Sequence, residues 1–288
     1  MELNSYLIEI KTAAITSYDI LFNTKKTASP FRIIAGVILE CGRCTSAYTR
    51  GMSVVAYLPS SLNLEMVRGG EFVSAYIPEL YLIKKPVELS YETAAIGIAS
   101  GIRALTALHY CLGVLEGENI LIIGSPDLVP IHIANSLGLV TYFTGKDDIK
   151  ARSHYIQDFP FSLIQETGGL GVNHILDFSL SHSAEHKINI ISCLGLRGKW
   201  CICDPNLQLD PPESYQLYMR NSSLCYFNED IWTHNGVEHG KFVHLMNLTL
   251  NRLKSGIFEA KPQRTYLVNQ IHEALTDFTS DLILIKSS

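Results

Sequence analysis

The turn Gly124-Ser125-Pro126-Asp127-Leu128-Val129-Pro130 holds the residues whose types and spacing come nearest to ligand chemistry. It follows a continuous apolar run, Asn119 to Gly124, and leads into a helical pattern from Val129 to Leu137 that Gly138 closes. A strand, turn and helix in this order hold a pyrophosphate when the turn offers backbone N–H groups, close approach and a free helix N-terminus. Only one glycine stands in this turn, Gly124, and Pro126 and Pro130 bring no N–H. Asp127 suits an N-cap, with Pro130 tolerated in the first helical turn. Its carboxylate would then take the anion's own place, and a phosphate ~4 Å away would meet about 1 to 4 kcal/mol of repulsion, depending on the dielectric. Two readings stand: a strand-helix scaffold, or a pyrophosphate site built on Gly124 and Ser125. What Asp127 does with the helix N–H groups separates them.

About 20 residues further on, where a dinucleotide fold reads the ribose, comes Gly145-Lys146-Asp147-Asp148. Lys146 could pair a 2′-phosphate, the aspartates would favour a 2′-hydroxyl, and a solvated charged turn is the plain alternative. Cys41-Gly42-Arg43-Cys44 has C-x-x-C spacing. One pair supplies two of the four ligands of a tetrahedral metal, and its strand-turn-strand setting is not that of a redox C-x-x-C, so structural thiols are expected. Cys201 and Cys203 lie two residues apart on a strand, where thiols of the core or the cleft wall are expected rather than ligands. No G-x-S-x-G elbow exists. The ten histidines are dispersed; His109, His132 and His244 fall within apolar helical patterns. Asp177 and Glu185 form no meaningful carboxylate pair.

The elements that must carry these residues change character along the chain. Leu3–Ile10 alternates apolar and polar; Phe31–Glu40, Met52–Leu58, Glu71–Tyr76 and Leu80–Ile83 are further short strands punctuated by glycine and proline. This predicts an antiparallel, barrel-like β domain. From Tyr91 the pattern turns helical, and then strands at 119–124, 139–144, 174–178, 199–203 and 223–227 alternate with helices, two of them Ala184–Cys193 and Val237–Lys254. That alternation predicts a parallel α/β sheet. After residue 257 strand, helix and strand return. The expected division is a β domain over 1–99, an α/β domain over 100–256, and a tail over 257–288 rejoining the first.

Composition narrows the class. With 47% hydrophobic and 18% charged residues, against a usual charged share of ~25%, the 288-residue chain can fill a sizeable core. A net charge of −5 and a pI of about 6.1 speak against a nucleic-acid partner. The N-terminus lacks a signal peptide's basic and apolar regions, and no uninterrupted apolar run reaches the ~18 residues of a membrane span. An odd count of seven cysteines without a secretory signal predicts reduced thiols and a cytoplasmic location.

Several motifs in order then resemble the medium-chain dehydrogenases/reductases. They are Gly69-Gly70-Glu71-Phe72 with Tyr76, Lys85-Pro86 with Ser90-Tyr91-Glu92-Thr93-Ala94-Ala95, Ala104-Leu105-Thr106-Ala107-Leu108, Thr167-Gly168-Gly169-Leu170-Gly171-Val172 with Leu176-Asp177, and Leu194–Trp200 with Asp210-Pro211-Pro212. Within that family the chain is most similar to the zinc-independent, quinone-oxidoreductase-like branch related to zeta-crystallin. The resemblance implies a Rossmann domain inserted into a GroES-like β-barrel domain, hydride transfer from NADPH to a quinone or another conjugated carbonyl in an interdomain cleft, and a homodimer. It implies catalytic roles for Thr16 and Tyr18, which fall where the family has an N-P-x-D turn; a helix cap formed by Thr16 or Ser17 is the structural alternative. It implies cofactor contacts from Gly124, Ser125, Lys146, Ser179, Cys203 and Arg103. The zinc-bearing branch's cysteine, G-H-E pair and four-cysteine lobe have no match, so no metal is expected. The family's opening hairpin has no counterpart before Met1, and a β domain without it is expected to expose a strand edge, with low solubility or partner dependence as the result.

Overall fold

The computed structural model describes residues 4–16, 19, 32–59, 62, 66–69, 72–125, 127–144, 153–156, 159–228, 230–234, 236–276 and 282–287. The chain separates into two units, one formed by Met1–Ile102 with Asp230–Ser288 and the other by Arg103–Glu229.

The first unit is built on an eight-stranded sheet, in chain order β1 (Ser5–Thr16), β2 (Ile33–Cys41), β3 (Ser53–Tyr57), β4 (Met66–Gly69), β5 (Phe72–Pro78), β6 (Leu82–Lys84), and later β13 (Arg264–Leu267) and β14 (Leu282–Lys286). All pairings are antiparallel except β13 with β14. β1 is no edge. β2 lies along one side of it, while β5 pairs its first half and β14 its second. The first half alternates buried and half-buried residues; from Thr12 to Thr16 every residue is buried, so the alternation stops while the strand continues. Tyr6, Ile8, Ile15, Ile34, Ile38, Ile77 and Ile283 form the core of this unit.

A long helix, Tyr91–Leu105 with a π-helical continuation Thr106–Leu112, follows β6. Its length and composition would allow a membrane crossing, but 83% of its apolar window is buried within the protein, as in a core helix. Gly97 and Gly101, one turn apart, let it meet helix His239–Lys254 closely. A Cβ at Gly97 would lie 2.3 Å from a Leu253 methyl, and one at Gly101 2.4 Å from the Thr249 methyl.

The second unit holds six parallel strands: β7 (Asn119–Ile123), β8 (Val140–Phe143), β9 (His154–Tyr155), β10 (Val172–Asp177), β11 (Leu194–Ile202) and β12 (Ser223–Tyr226). Their spatial order is β12-β11-β10-β7-β8-β9. β7 is followed in the chain by β8 on one side, and β10 lies on its other side. The order therefore reverses between β7 and β10, where an open parallel sheet forms its ligand crevice, outside the strands' C-terminal ends. Trp200, Leu121, Ile175, Ile190 and Ile191 fill the core of this Rossmann-like unit.

Candidate functional site

The C-terminal edge of the parallel sheet gathers Gly124 and Ser125 after β7, Phe178 to Ser183 after β10, and Cys203 and Asp204 after β11. Gly124 turns the chain with φ +61, a left-handed value that an L side chain adopts only with strain. A Cβ there would sit 3.4 Å from Ser179 Oγ, so the β7 and β10 loops lie side by side.

Hydrogen bonding within the turn is largely internal. Val129 N–H donates to Asp127 Oδ1 at 2.8 Å, and Ser125 Oγ–H donates to the Asp127 carbonyl at 2.7 Å. The helix Val129–Ser136 thus begins with a carboxylate on one of its N–H groups, where a pyrophosphate would look for a donor.

Ser179 and Cys203 are held by a third residue. Ser179 N–H donates to Asp177 Oδ1 at 2.9 Å, and Cys203 N–H donates to the Asp177 carbonyl at 3.1 Å. Asp177 ends β10 and is fully buried. Its Oδ2 accepts from Trp200 Nε1 at 3.2 Å and meets His182 Nε2 at 2.8 Å, while His182 Nδ1 lies 3.3 Å from Asp204 Oδ2. Burial pushes His182 toward neutrality, but the two carboxylates outweigh it and raise its pKa above the usual 6.5. One imidazole therefore ties the β10 loop to the β11 loop. The motif Leu176-Asp177 points to Asp177, but not to its partners. The sequence signal that reaches His182 is its four-residue spacing to His186, on the helix Ala184–Cys193.

Among the expected residues, the edge brings together Gly124, Ser125, Ser179 and Cys203. Arg103 is buried on the long helix. Thr16 closes β1 in the first unit, where its Oγ–H donates to Asp19 Oδ2 at 2.8 Å and the same carboxylate oxygen accepts the Thr16 N–H at 2.8 Å. Asp19 N–H returns a bond to Thr16 Oγ at 3.2 Å. This reciprocal pairing is that of a capping box. Tyr18, Lys146 and Pro126 lie outside the described residues. A cavity of about 650 Å³ belongs to the first unit, lined in part by Glu92, Phe258, Lys261 and Lys286, and contains none of these residues.

No family model matches the chain. It is similar to quinone oxidoreductase-like protein 1 of Mus musculus, 27% identical over 257 residues that span 79% of this chain and 72% of that protein. Solved structures share its fold. An alcohol dehydrogenase superfamily protein from Novosphingobium aromaticivorans superposes with a TM-score of 0.82 at 16% identity, over 99% of this chain and 92% of that one. A putative NADPH:quinone reductase from Bacillus thuringiensis gives 0.80 at 11% identity, over 100% and 92%. The CurK enoyl reductase gives 0.79 at 17%, over 98% and 91%. In sequence the chain is thus similar to a quinone oxidoreductase-like protein, and it shares the two-domain fold of these solved structures, in keeping with the order of its motifs.

Proposed function

We propose that the chain is an oxidoreductase that reduces quinones or related conjugated carbonyls with NADP(H), and that it holds the nucleotide weakly. The observation that carries this reading is the left-handed Gly124 at the end of β7, with Ser179 beside it at the reversal of strand order. Similarity to a quinone oxidoreductase-like protein and a fold shared with a putative NADPH:quinone reductase support it. The cofactor supplies the hydride. Gly124, Ser125 and Ser179 are the residues assigned to hold it, together with Lys146, Cys203 and Arg103. The Thr16 hydroxyl proton is engaged by Asp19, which leaves water or Tyr18 to protonate the reduced product. The first-turn cysteine, the G-H-E pair and the lobe of the zinc-bearing branch are not used. A cytoplasmic homodimer acting on a small molecule, with no nucleic acid or membrane partner, completes the reading.

Asp127 sets the strength of binding. Repulsion of about 1 to 4 kcal/mol at ~4 Å corresponds to a dissociation constant raised roughly fivefold to several hundredfold. Titration with NADPH, followed by nucleotide fluorescence and thermal shift, tests this directly. At 100 times the dissociation constant, binding should add ~2.7 kcal/mol of stability. Asp127→Gly should tighten NADPH binding, and weaker binding in that variant would refute the repulsion argument.

The bond between Asp127 and Val129 favours a second reading, a binding or scaffold protein that keeps the fold without the nucleotide. Absence of any shift at millimolar NADPH or NADH would sink the reductase reading in favour of this one.

A further inference from the structure

We propose that Asp177, His182 and His186 form a binding site for a divalent transition metal, with Asp204 orienting His182 from behind. One ligand atom from each of the three residues lies within 4.8 Å of the others. His182 Nε2 and Asp177 Oδ2 are already 2.8 Å apart. Ligands about 2.0–2.2 Å from a tetrahedral ion stand about 3.3–3.6 Å from one another, so binding would draw the half-buried His186 inward and open the His182–Asp177 contact slightly. The two imidazole rings have centroids 5.5 Å apart and are tilted by only 32°.

Three further observations point the same way. The first is charge. Asp177 is fully buried and the Asp204 side chain is 8% exposed, yet His182 is their only cationic partner within ion-pair distance among the described residues. An imidazolium would leave two carboxylates with a single positive charge; a divalent ion balances both. Buried charges of this kind are ordinarily paired or bound to metal.

The second is orientation. Metal-binding histidines generally donate their remaining ring N–H to a carboxylate. With Nε2 on the ion, His182 Nδ1–H faces Asp204 Oδ2 at 3.3 Å. Asp177 is fixed in the same manner, by Ser179 N–H on one oxygen and by Trp200 Nε1–H on the other.

The third is the donor set. Two imidazoles and one carboxylate suit zinc, cobalt or nickel better than calcium or magnesium, and three protein ligands leave a fourth position for water or a substrate oxygen. This donor set owes nothing to C-x-x-C spacing. None of its three ligands is itself assigned to NADP(H), although Asp177 also positions Ser179 and Cys203, which are.

The test uses the full chain and the metals alone. Zn²⁺ titrated by calorimetry should bind with a stoichiometry of one, and Co²⁺ should give the visible d–d bands of a four-coordinate nitrogen and oxygen site without thiolate charge transfer in the near ultraviolet. His186→Ala, at a half-buried helix position, should keep the circular dichroism of the parent and lose at least tenfold in Zn²⁺ affinity. Asp204→Asn should lose about tenfold to a hundredfold. No saturable Zn²⁺ binding would overturn the proposal, as would binding unchanged in His186→Ala. A thiolate band removed by Cys201→Ser would also do so, by placing the ion on cysteine. NADPH titration of the same samples reads the nucleotide site separately, so either proposal can fail alone.

Discussion

Asp127 and Glu79 show how one carboxylate can settle a local question. At the end of β7, Asp127 takes a helix N–H that a phosphate would want. In the first unit, Glu79 Oε2 accepts from the Tyr6 hydroxyl at 2.7 Å and from the Ser46 and Ala47 N–H groups at 3.0 and 3.4 Å. The Tyr6 bond, helped by the two N–H groups and opposed by burial, holds the Glu79 carboxyl below its usual 4.5. A carboxyl whose folded pKa is depressed contributes stability above its unfolded value and loses it as pH falls through the folded one. Glu79→Gln should therefore be less stable than the parent near pH 7, and the gap should close as the pH falls below about 4.5. Urea denaturation at a series of pH values measures this; a gap that stays constant into acid would rule the assignment out. Cys193 is the contrasting case, a buried thiol pushed up to about 12 by desolvation and so poorly nucleophilic.

Between elements, the two helices approach one another closely at Gly97 and Gly101. Gly101→Val would push two methyl groups toward Thr249 and Phe258 in a closely packed contact, where overpacking typically costs about 1–3 kcal/mol. The urea midpoint should fall with the slope unchanged; an unaltered midpoint would mean the helices can part freely. The long helix illustrates what the sequence makes legible. Its small and apolar residues announce a helix from Tyr91, but the π-helical turn at Thr106–Leu112 has no distinct residue signature. Helix Ala184–Cys193 matches its expected limits because Ser183 caps it and its apolar spacing is regular. Helix Pro211–Met219 is hidden by its paired prolines, although Asp210 with Glu213 forms a capping box. β1 extends six residues beyond the expected Ile10. Burial on both faces removes the alternation that marks a strand. At the sheet edge, Gly124 and Ser179 could be placed from strand-turn-helix order. The His182 clasp could not, because it joins residues 177, 182, 200 and 204, which meet only through pairing of β10 with β11.

On the scale of the whole molecule, the first unit is assembled from both ends of the chain. Arg32 is central to it. Its guanidinium donates to Asp19 Oδ1 at 2.9 Å and to the Tyr57 hydroxyl at 3.0 Å, and it forms an ion pair with Asp230 from the later segment. Its side chain is 4% exposed and that of Asp19 is 2% exposed. Removing one partner of such a pair leaves a buried charge uncompensated, at about 3–5 kcal/mol. Arg32→Ala should lower stability by that amount in chemical denaturation, and a loss below about 1 kcal/mol, the range of a surface pair, would contradict the assignment.

The placement of β14 has a consequence for synthesis. On the ribosome, β1 emerges long before β14, the strand that pairs its second half. At about 5–20 residues per second, the entire Rossmann-like unit is made during the wait. Residues 12–16 of the nascent chain then offer an unpaired apolar strand edge for roughly 14 to 54 seconds, until Leu282–Lys286 arrives to cover it. For this protein, the interval of greatest exposure to aggregation or chaperone capture belongs to translation, before the native sheet exists.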